Sequence, residues 1–175
     1  MHYWLGGHGT ETERRAHLEG GIDAGRTAVA LQPNRPEGHF WIAANMGALA
    51  ESFGLRQGLK YRKPIKDEIE TVLRLDPGFM DGSGDRALGR WYFKVPRLFG
   101  GDRKLSETHL RKSLTYNPDS TVSHFFLAEL FDDEGRKADA RAEFQKVVDA
   151  RLSRDWAPED QEFKEKARGA LVSLK

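Results

Sequence analysis

Three cations stand at helical spacing in the middle of this chain: Arg86, Arg90 and Lys94. At i, i+4 and i+8 they form one stripe along a helix face. A guanidinium fork donates two parallel hydrogen bonds to a carboxylate, so the stripe is suited to an anionic ligand. An aromatic helix with Trp41 and Asn45 precedes it, and an acidic one with Glu129, Asp132 and Asp133 follows. The alternative is internal pairing, Arg90 with Glu129 and Arg86 with Asp85 or Asp81. A second candidate is the run Phe93 to Gly101, FKVPRLFGG. Its Val95, Pro96, Leu98 and Phe99 are too apolar for an ordinary solvated loop, so they either fold back into the core or line a pocket or interface. Tyr92 reads as core, whereas Trp91 beside it has no assigned role.

Catalytic chemistry finds little support. The six His residues include no i, i+4 pair and no HExxH. His39 beside Phe40 and Trp41 reads as a hydrogen-bonded structural residue. Ser123 and His124 are neighbours in sequence, which does not aim a base at a nucleophile on a helix. The segment Asp81 to Asp85 has the glycines of a phosphate loop but neither its Lys nor a preceding strand. With no Cys in the chain, thiol catalysis, disulfides and thiolate metal sites are ruled out. The expectation is a non-enzyme with no metal and no cofactor. Lys and Arg number 28 against 27 Asp and Glu, a balance that predicts no nucleic-acid binding. No apolar run is long enough to span a bilayer, and no secretory signal is visible. The basic cluster Arg56, Lys60, Arg62, Lys63 and Lys66 reads first as a solvated loop and helix start, and second as a patch for an anionic partner.

The elements that must position these residues are helices, expected at 11–31, 37–53, 61–75, 80–94, 102–116, 120–134, 136–151 and 158–173. Asp76-Pro77 and Asn117-Pro118 stop two of them, because the residue before Pro is driven out of the α region. Gly100-Gly101 permits a backbone reversal. Pro158, Glu159 and Asp160 suit a first helical turn.

The helices repeat a phrase. Leu127-Ala128, Phe131, Gly135, Ala140, Phe144 and Val147 give one copy; Leu88-Gly89, Tyr92, Gly101, Ser106, Leu110, Ser113 and Pro118 give another. An earlier copy reads Met46-Gly47, Ala50, Ile65, Ile69, Val72 and Pro77, and the first reads Gly9, Gly21, Ala28 and Pro33. This spacing resembles the tetratricopeptide (TPR) repeat, whose period is about 34 residues. The resemblance implies an all-α solenoid of antiparallel helix pairs in one domain over 1–175, with repeats at 1–35, 36–78, 79–119 and 120–152. The excess length of the second repeat is expected in a loop around Phe53–Lys60. The last helix has one apolar face, Phe163, Ala167, Ala170, Leu171 and Leu174, and reads as a cap over 158–174. Tyr3-Trp4-Leu5-Gly6 reads as the tail of a helix A, so the chain is expected to start inside a repeat.

In such repeats helix A lines a concave groove. That places Trp41, Asn45, Arg86, Arg90, Trp91, Lys94, Pro96, Phe99 and Glu129 as candidate ligand or partner contacts. The run Asp85 to Ser120, with His39 to Gly47, also resembles the T component of TRAP transporters. Members carry an LGR–aromatic helix, a VP–aromatic–GG turn and a helix with an LDP-like stop. This resemblance implies a bacterial cell-envelope protein working with a substrate-binding partner on carboxylate-type or apolar ligands, with Trp41, Asn45, Arg86, Arg90, Trp91 and the 95–99 turn lining a channel. Without it, the expected compartment is the cytoplasm. The expected activity is that of a binding scaffold for a protein partner or a small anionic ligand. The alternative is a structural protein that stacks on copies of itself as a homo-oligomer.

Overall fold

The computed structural model describes residues 9–154 and 156–174. The segment read as the tail of a first helix A, residues 3–6, lies outside them. Eight α-helices follow among the described residues: α1 Glu11–Leu31, α2 Pro36–Ser52, α3 Leu55–Leu75, α4 Phe79–Lys94, α5 Arg103–Tyr116, α6 Thr121–Asp133, α7 Lys137–Asp149 and α8 Ala157–Ser173. A 3-10 turn, Arg97–Phe99, links α4 to α5.

Local chemistry sets several starts. Thr10 and Glu13 form a reciprocal capping box at α1. The Asp102 carboxylate accepts from the Lys104 and Leu105 amides and caps α5. The Ser120 hydroxyl accepts from the Ser123 amide and caps α6. Pro36 and Pro158 sit in first turns, where a missing N–H leaves nothing unpaired. The start of α4 is irregular: Met80, Asp81 and Gly82 have positive φ, so regular helix begins only after them.

Antiparallel neighbours pack as α2 on α3, α4 on α5 and α6 on α7, while α1 lies on α2 and α8 closes over α7 and α6. The chain is an all-α solenoid. Its core forms two clusters. One runs through Leu18, Ile42, Leu49 and Ile69 to Trp91, and the other through Leu110, Leu127, Phe131, Phe144 and Ala167. Asp160 anchors α8: its two oxygens accept from the Thr121 hydroxyl at 2.5 Å and the Ser153 amide at 2.7 Å.

Two expectations change here. The residues around 53–60 do not form a loop. Gly54, at φ 80°, turns the chain, and α3 begins at Leu55 and carries Pro64 inside it. The extra length of the second repeat is therefore added helix. The large–small pair of α2 is Ile42-Ala43, both nearly inaccessible, and not Met46-Gly47. A Cβ added at Gly47 would meet open space, so that glycine marks no close approach.

With that register a polar clasp recurs in three successive helix pairs. The first member lies three residues before the large–small pair, and the second lies one before the core residue of the facing helix. His39 Nδ1 meets Glu68 at 2.6 Å, Asp85 meets His109 Nδ1 at 2.8 Å, and His124 Nδ1 meets Glu143 at 2.5 Å. The middle pair has acid and base exchanged. Each of the outer two imidazoles also donates from Nε2 to a carbonyl six residues upstream, His39 to Pro33 and His124 to Pro118. A lysine one turn on completes two clasps, Lys112 at 3.0 Å from Asp85 and Lys146 at 2.8 Å from Glu143.

Candidate functional site

Helices α2, α4 and α6 stand side by side, and Arg90 of α4 joins them. Its Nε and Nη2 donate to the two oxygens of Glu51 on α2 at 3.0 and 3.1 Å. Its Nη1 donates to Glu129 on α6. The guanidinium lies 4.3 Å from the centroid of Phe126. Burial alone would lower the affinity of Arg90 for its proton, but Glu51 and Glu129 outweigh it and raise the pKa. Internal pairing of Arg90 with Glu129 is thus the arrangement found, with Glu51 as an additional partner.

The rest of the cationic stripe diverges. Arg86 faces the acidic start of α8. Burial raises the pKa of Glu159 there, and the Arg86 charge only partly opposes it. Arg86 does not pair with Asp85, which is turned inward onto His109 and Lys112. Burial raises the Asp85 pKa, but the His109 hydrogen bond and the Lys112 charge outweigh it and lower the carboxyl below its ordinary value. Lys94 is exposed, its ammonium 5.1 Å from the Phe93 ring. Beyond it, Arg103 bridges Asp133 on α6 and the Phe93 carbonyl.

The aromatic and amide candidates do not join Arg90. Asn45 is buried between α1 and α2. Its Nδ2 donates to the Trp41 carbonyl at 2.7 Å, and a Cβ at Gly21 would come within 2.6 Å of its Cγ. Trp41 meets Phe40 edge-to-face. Trp91 points to α3, where its indole N–H donates to the Arg62 carbonyl at 2.7 Å and Lys66 lies 5.1 Å from its ring. That contact gives Trp91 a packing role. Of the candidates on helices, Arg90, Glu129 and Lys94 form a groove set, while Asn45 faces α1, Trp91 faces α3 and Arg86 faces the start of α8.

The turn after α4 is partly exposed. Val95 packs against the core, but Leu98 is 87% and Phe99 40% accessible, and Pro96 is exposed. Gly101 closes the turn under the Val95 carbonyl, where a side chain would overlap that oxygen. A shallow cavity of about 420 Å³ lies at the other end of the array, lined by Pro118, Asp119, His124, Lys146, Asp149 and Ala150.

None of these features assembles a nucleophile with a base. Both ring nitrogens of His39 and His124 are engaged, and the Ser123 hydroxyl is held by Ser113 at 2.9 Å. Among the described residues no three His, Asp or Glu are grouped to hold a metal ion, and no helix is long and apolar enough to cross a membrane. The arrangement offers a braced, charged face.

A family model described as regulator of microtubule dynamics protein 1-3 matches residues 3–115. Among solved structures, a thermophilic TPR protein from Thermus thermophilus is similar, with a TM-score of 0.70 at 22% identity over 98% of this chain and 80% of that one. At that identity the likeness establishes the TPR-like fold alone. No curated protein matches the sequence.

Proposed function

This chain belongs to the family of regulator of microtubule dynamics protein 1-3, and from that premise we propose that it is a non-catalytic scaffold binding a protein partner on its α2–α4–α6 face. The observation that supports this most is the engagement of Arg90 by Glu51 and Glu129. The cation best placed for a small anion already carries two carboxylates. A ligand would have to displace both, leaving them near each other without a counter-charge. What this face presents to solvent is a rim of alternating charge, with Lys94 in no ion pair among the described residues, Arg103 on Asp133 and Lys137 on Asp132, which suits an extended polar surface better than a compact metabolite. The transporter-associated reading rests on the Asp85–Ser120 motif run and requires a vacant cationic site, so it is the weaker of the two. The name of the family directs the search for the partner toward microtubule proteins.

Co-sedimentation of the purified chain with assembled microtubules tests the proposal. Binding by the parent chain, weakened in the charge-exchanged variant Lys94→Glu/Asp133→Lys with its helical circular dichroism intact, is the expected result. Equal binding by both would move the partner off this face. Failure of the parent chain to bind would remove microtubules as the partner.

A further inference from the structure

Helices α3 and α5 do not pack on each other, so a furrow floored by α4 runs between them. It lies on the far side of α4 from Arg90, because Arg90 and Tyr92 are about 200° apart on the helix. Tyr92 stands in this furrow between its two neighbours. Its ring stacks on His109 of α5 at 5.6 Å and has the Lys66 ammonium of α3 5.1 Å from its centroid. Tyr92 is only 9% accessible, yet its hydroxyl makes no hydrogen bond among the described residues and reaches solvent. A phenol at that depth usually has a partner. Arg62, one turn before Lys66 on the same stripe of α3, lies 5.6 Å from the Phe99 ring. It makes no ion pair among the described residues, and its Nη1 donates to the Leu59 carbonyl of its own helix at 2.7 Å. Lys66 has Glu70 at 3.7 Å, an exposed contact that holds it weakly. No Asp or Glu occurs from Ala87 to Gly101, so the floor of the furrow supplies no counter-charge.

The next furrow, between α5 and α7, uses the same repeat positions differently. Phe131 takes the place of Tyr92, each four residues after the large residue of its pair, Leu127 and Leu88. Glu107 takes the place of Lys66, each three residues before the core residue of its helix, Leu110 and Ile69. Glu107 accepts from Arg111 at 2.8 Å and from Arg136 at 2.7 Å, and the Arg136 guanidinium covers the Phe131 ring at 3.8 Å. That furrow is closed by its own ion pairs. Over Tyr92 a cation replaces the acid, and a hydroxyl is added.

We propose that Tyr92, Lys66 and Arg62 form a binding site for a phosphate monoester group, which supplies the negative charge this furrow lacks. The tetrahedral group offers three oxygens. One accepts from the Tyr92 hydroxyl, one from the Lys66 ammonium, and one from the Nε and Nη2 donors of Arg62. The two cations are one helical turn, about 6 Å, apart, and one phosphate spans that gap because each hydrogen bond adds about 2.8 Å. A planar carboxylate has two oxygens and about half the charge, so it fits less well. His109 holds the Tyr92 ring rather than the anion. Its Nδ1–H donates to Asp85 at 2.8 Å, which leaves Nε2 of the neutral ring an acceptor. The group arrives either as the free ion or on a phosphorylated side chain of a partner.

The test pairs fluorescence anisotropy of the whole chain with a labelled Gly/Ser peptide carrying one phosphoserine, and calorimetry with inorganic phosphate. Saturable binding that weakens with salt is expected from at least one of the two probes. Tyr92→Phe removes only the hydroxyl, and Phe131 shows that the fold accepts that ring at this repeat position. Affinity should fall about threefold or more in that variant. Lys66→Gln should weaken it about fivefold or more. Arg168→Gln, an exposed change on α8, should leave it unchanged. The groove variant Lys94→Glu/Asp133→Lys should retain phosphate binding, which separates this site from the α2–α4–α6 face. Tighter binding of the phosphopeptide than of inorganic phosphate assigns the group to a partner's side chain, and the reverse assigns it to the free ion. Absence of saturable binding by both probes overturns the proposal. So does parent-like affinity in either Tyr92→Phe or Lys66→Gln, equal loss in Arg168→Gln, or equal binding of the same peptide without its phosphate.

Discussion

Replacing Arg90 by Met removes a side chain that ties α2, α4 and α6 together through charge, while keeping most of its apolar stem. The Glu51 arm is bidentate, but Glu51 is 47% accessible, so that arm contributes no more than about 1 kcal/mol. The Glu129 arm is better shielded, with Arg90 16% and Glu129 30% accessible, and a charged hydrogen bond in that setting contributes about 1.5 kcal/mol. The cation over Phe126 adds about 0.5 kcal/mol. The expected loss is therefore about 2–3 kcal/mol, or a Tm lowered by roughly 5–10 °C for a chain of this size. Calorimetry of both proteins at neutral pH measures it. Raised salt should shrink the difference, because the exposed Glu51 arm is screened while the Glu129 arm is not. A double-mutant cycle with Glu129→Gln isolates the second arm and should return a coupling of about 1 kcal/mol or more. If Arg90→Met is within about 0.5 kcal/mol of the parent and the cycle shows no coupling, the idea that this residue braces the face is wrong.

Glu143→Ala removes one member of a clasp whose two members are each under a tenth accessible, leaving the His124 imidazole without its acceptor; urea unfolding should show a loss of about 3 kcal/mol. Acid titration of stability follows from Asp85 and Glu143. Burial raises both pKa values, but hydrogen bonds and charges from His109 and Lys112, and from His124 and Lys146, outweigh it and lower them from 3.8 and 4.5. Groups lowered on folding contribute stability that is complete above their unfolded values and is lost as pH falls through the folded ones. Thermal scans should therefore show a falling Tm from just above pH 4.5 downward, and a flat profile there would contradict the clasps. Gly101→Ala forces a methyl against the Val95 carbonyl and should destabilise by about 2 kcal/mol or more in urea titration. The matched change Gly47→Ala, into open space within a helix, should instead stabilise by about 0.5–1 kcal/mol.

Most of the fold was legible because it rests on strong local signals. Proline stops, capping residues and the small–aromatic spacing place seven helices within about two residues of the observed ends, consistent with the usual uncertainty at helix ends. The start of α3 was not legible. Gly54, Gly58 and a run of bases read as loop, yet Leu59 and Tyr61 face inward enough to carry the helix back to Leu55. The register of α2 was misleading because Gly47 has the residue type of a close-approach position without the packing. The pairing of Arg90 with Glu129 was legible in the sequence as the internal alternative to a ligand site. The partners of Asp85 were not, since His109 lies on another helix beyond an irregular turn and only tertiary packing brings it within 2.8 Å.

The three clasps explain why charge is so unevenly available on the surface. In each of these helix pairs an imidazole and a carboxylate satisfy each other between the two helices, and in the last two a lysine joins them. The exchange of acid and base in the middle pair shows that the position requires a charge-assisted hydrogen bond, whichever helix supplies the proton. These groups are committed to holding helix to helix, and Arg90 is committed to holding pair to pair. The charges left for a partner are those that neither task uses: Lys94 on the rim of the α2–α4–α6 face, and Arg56, Lys60 and Arg62 of α3 with Arg97 of the 3-10 turn, none of which makes an ion pair among the described residues. A scaffold built this way keeps its frame when its partner-facing residues change, because the two sets of charges do not overlap.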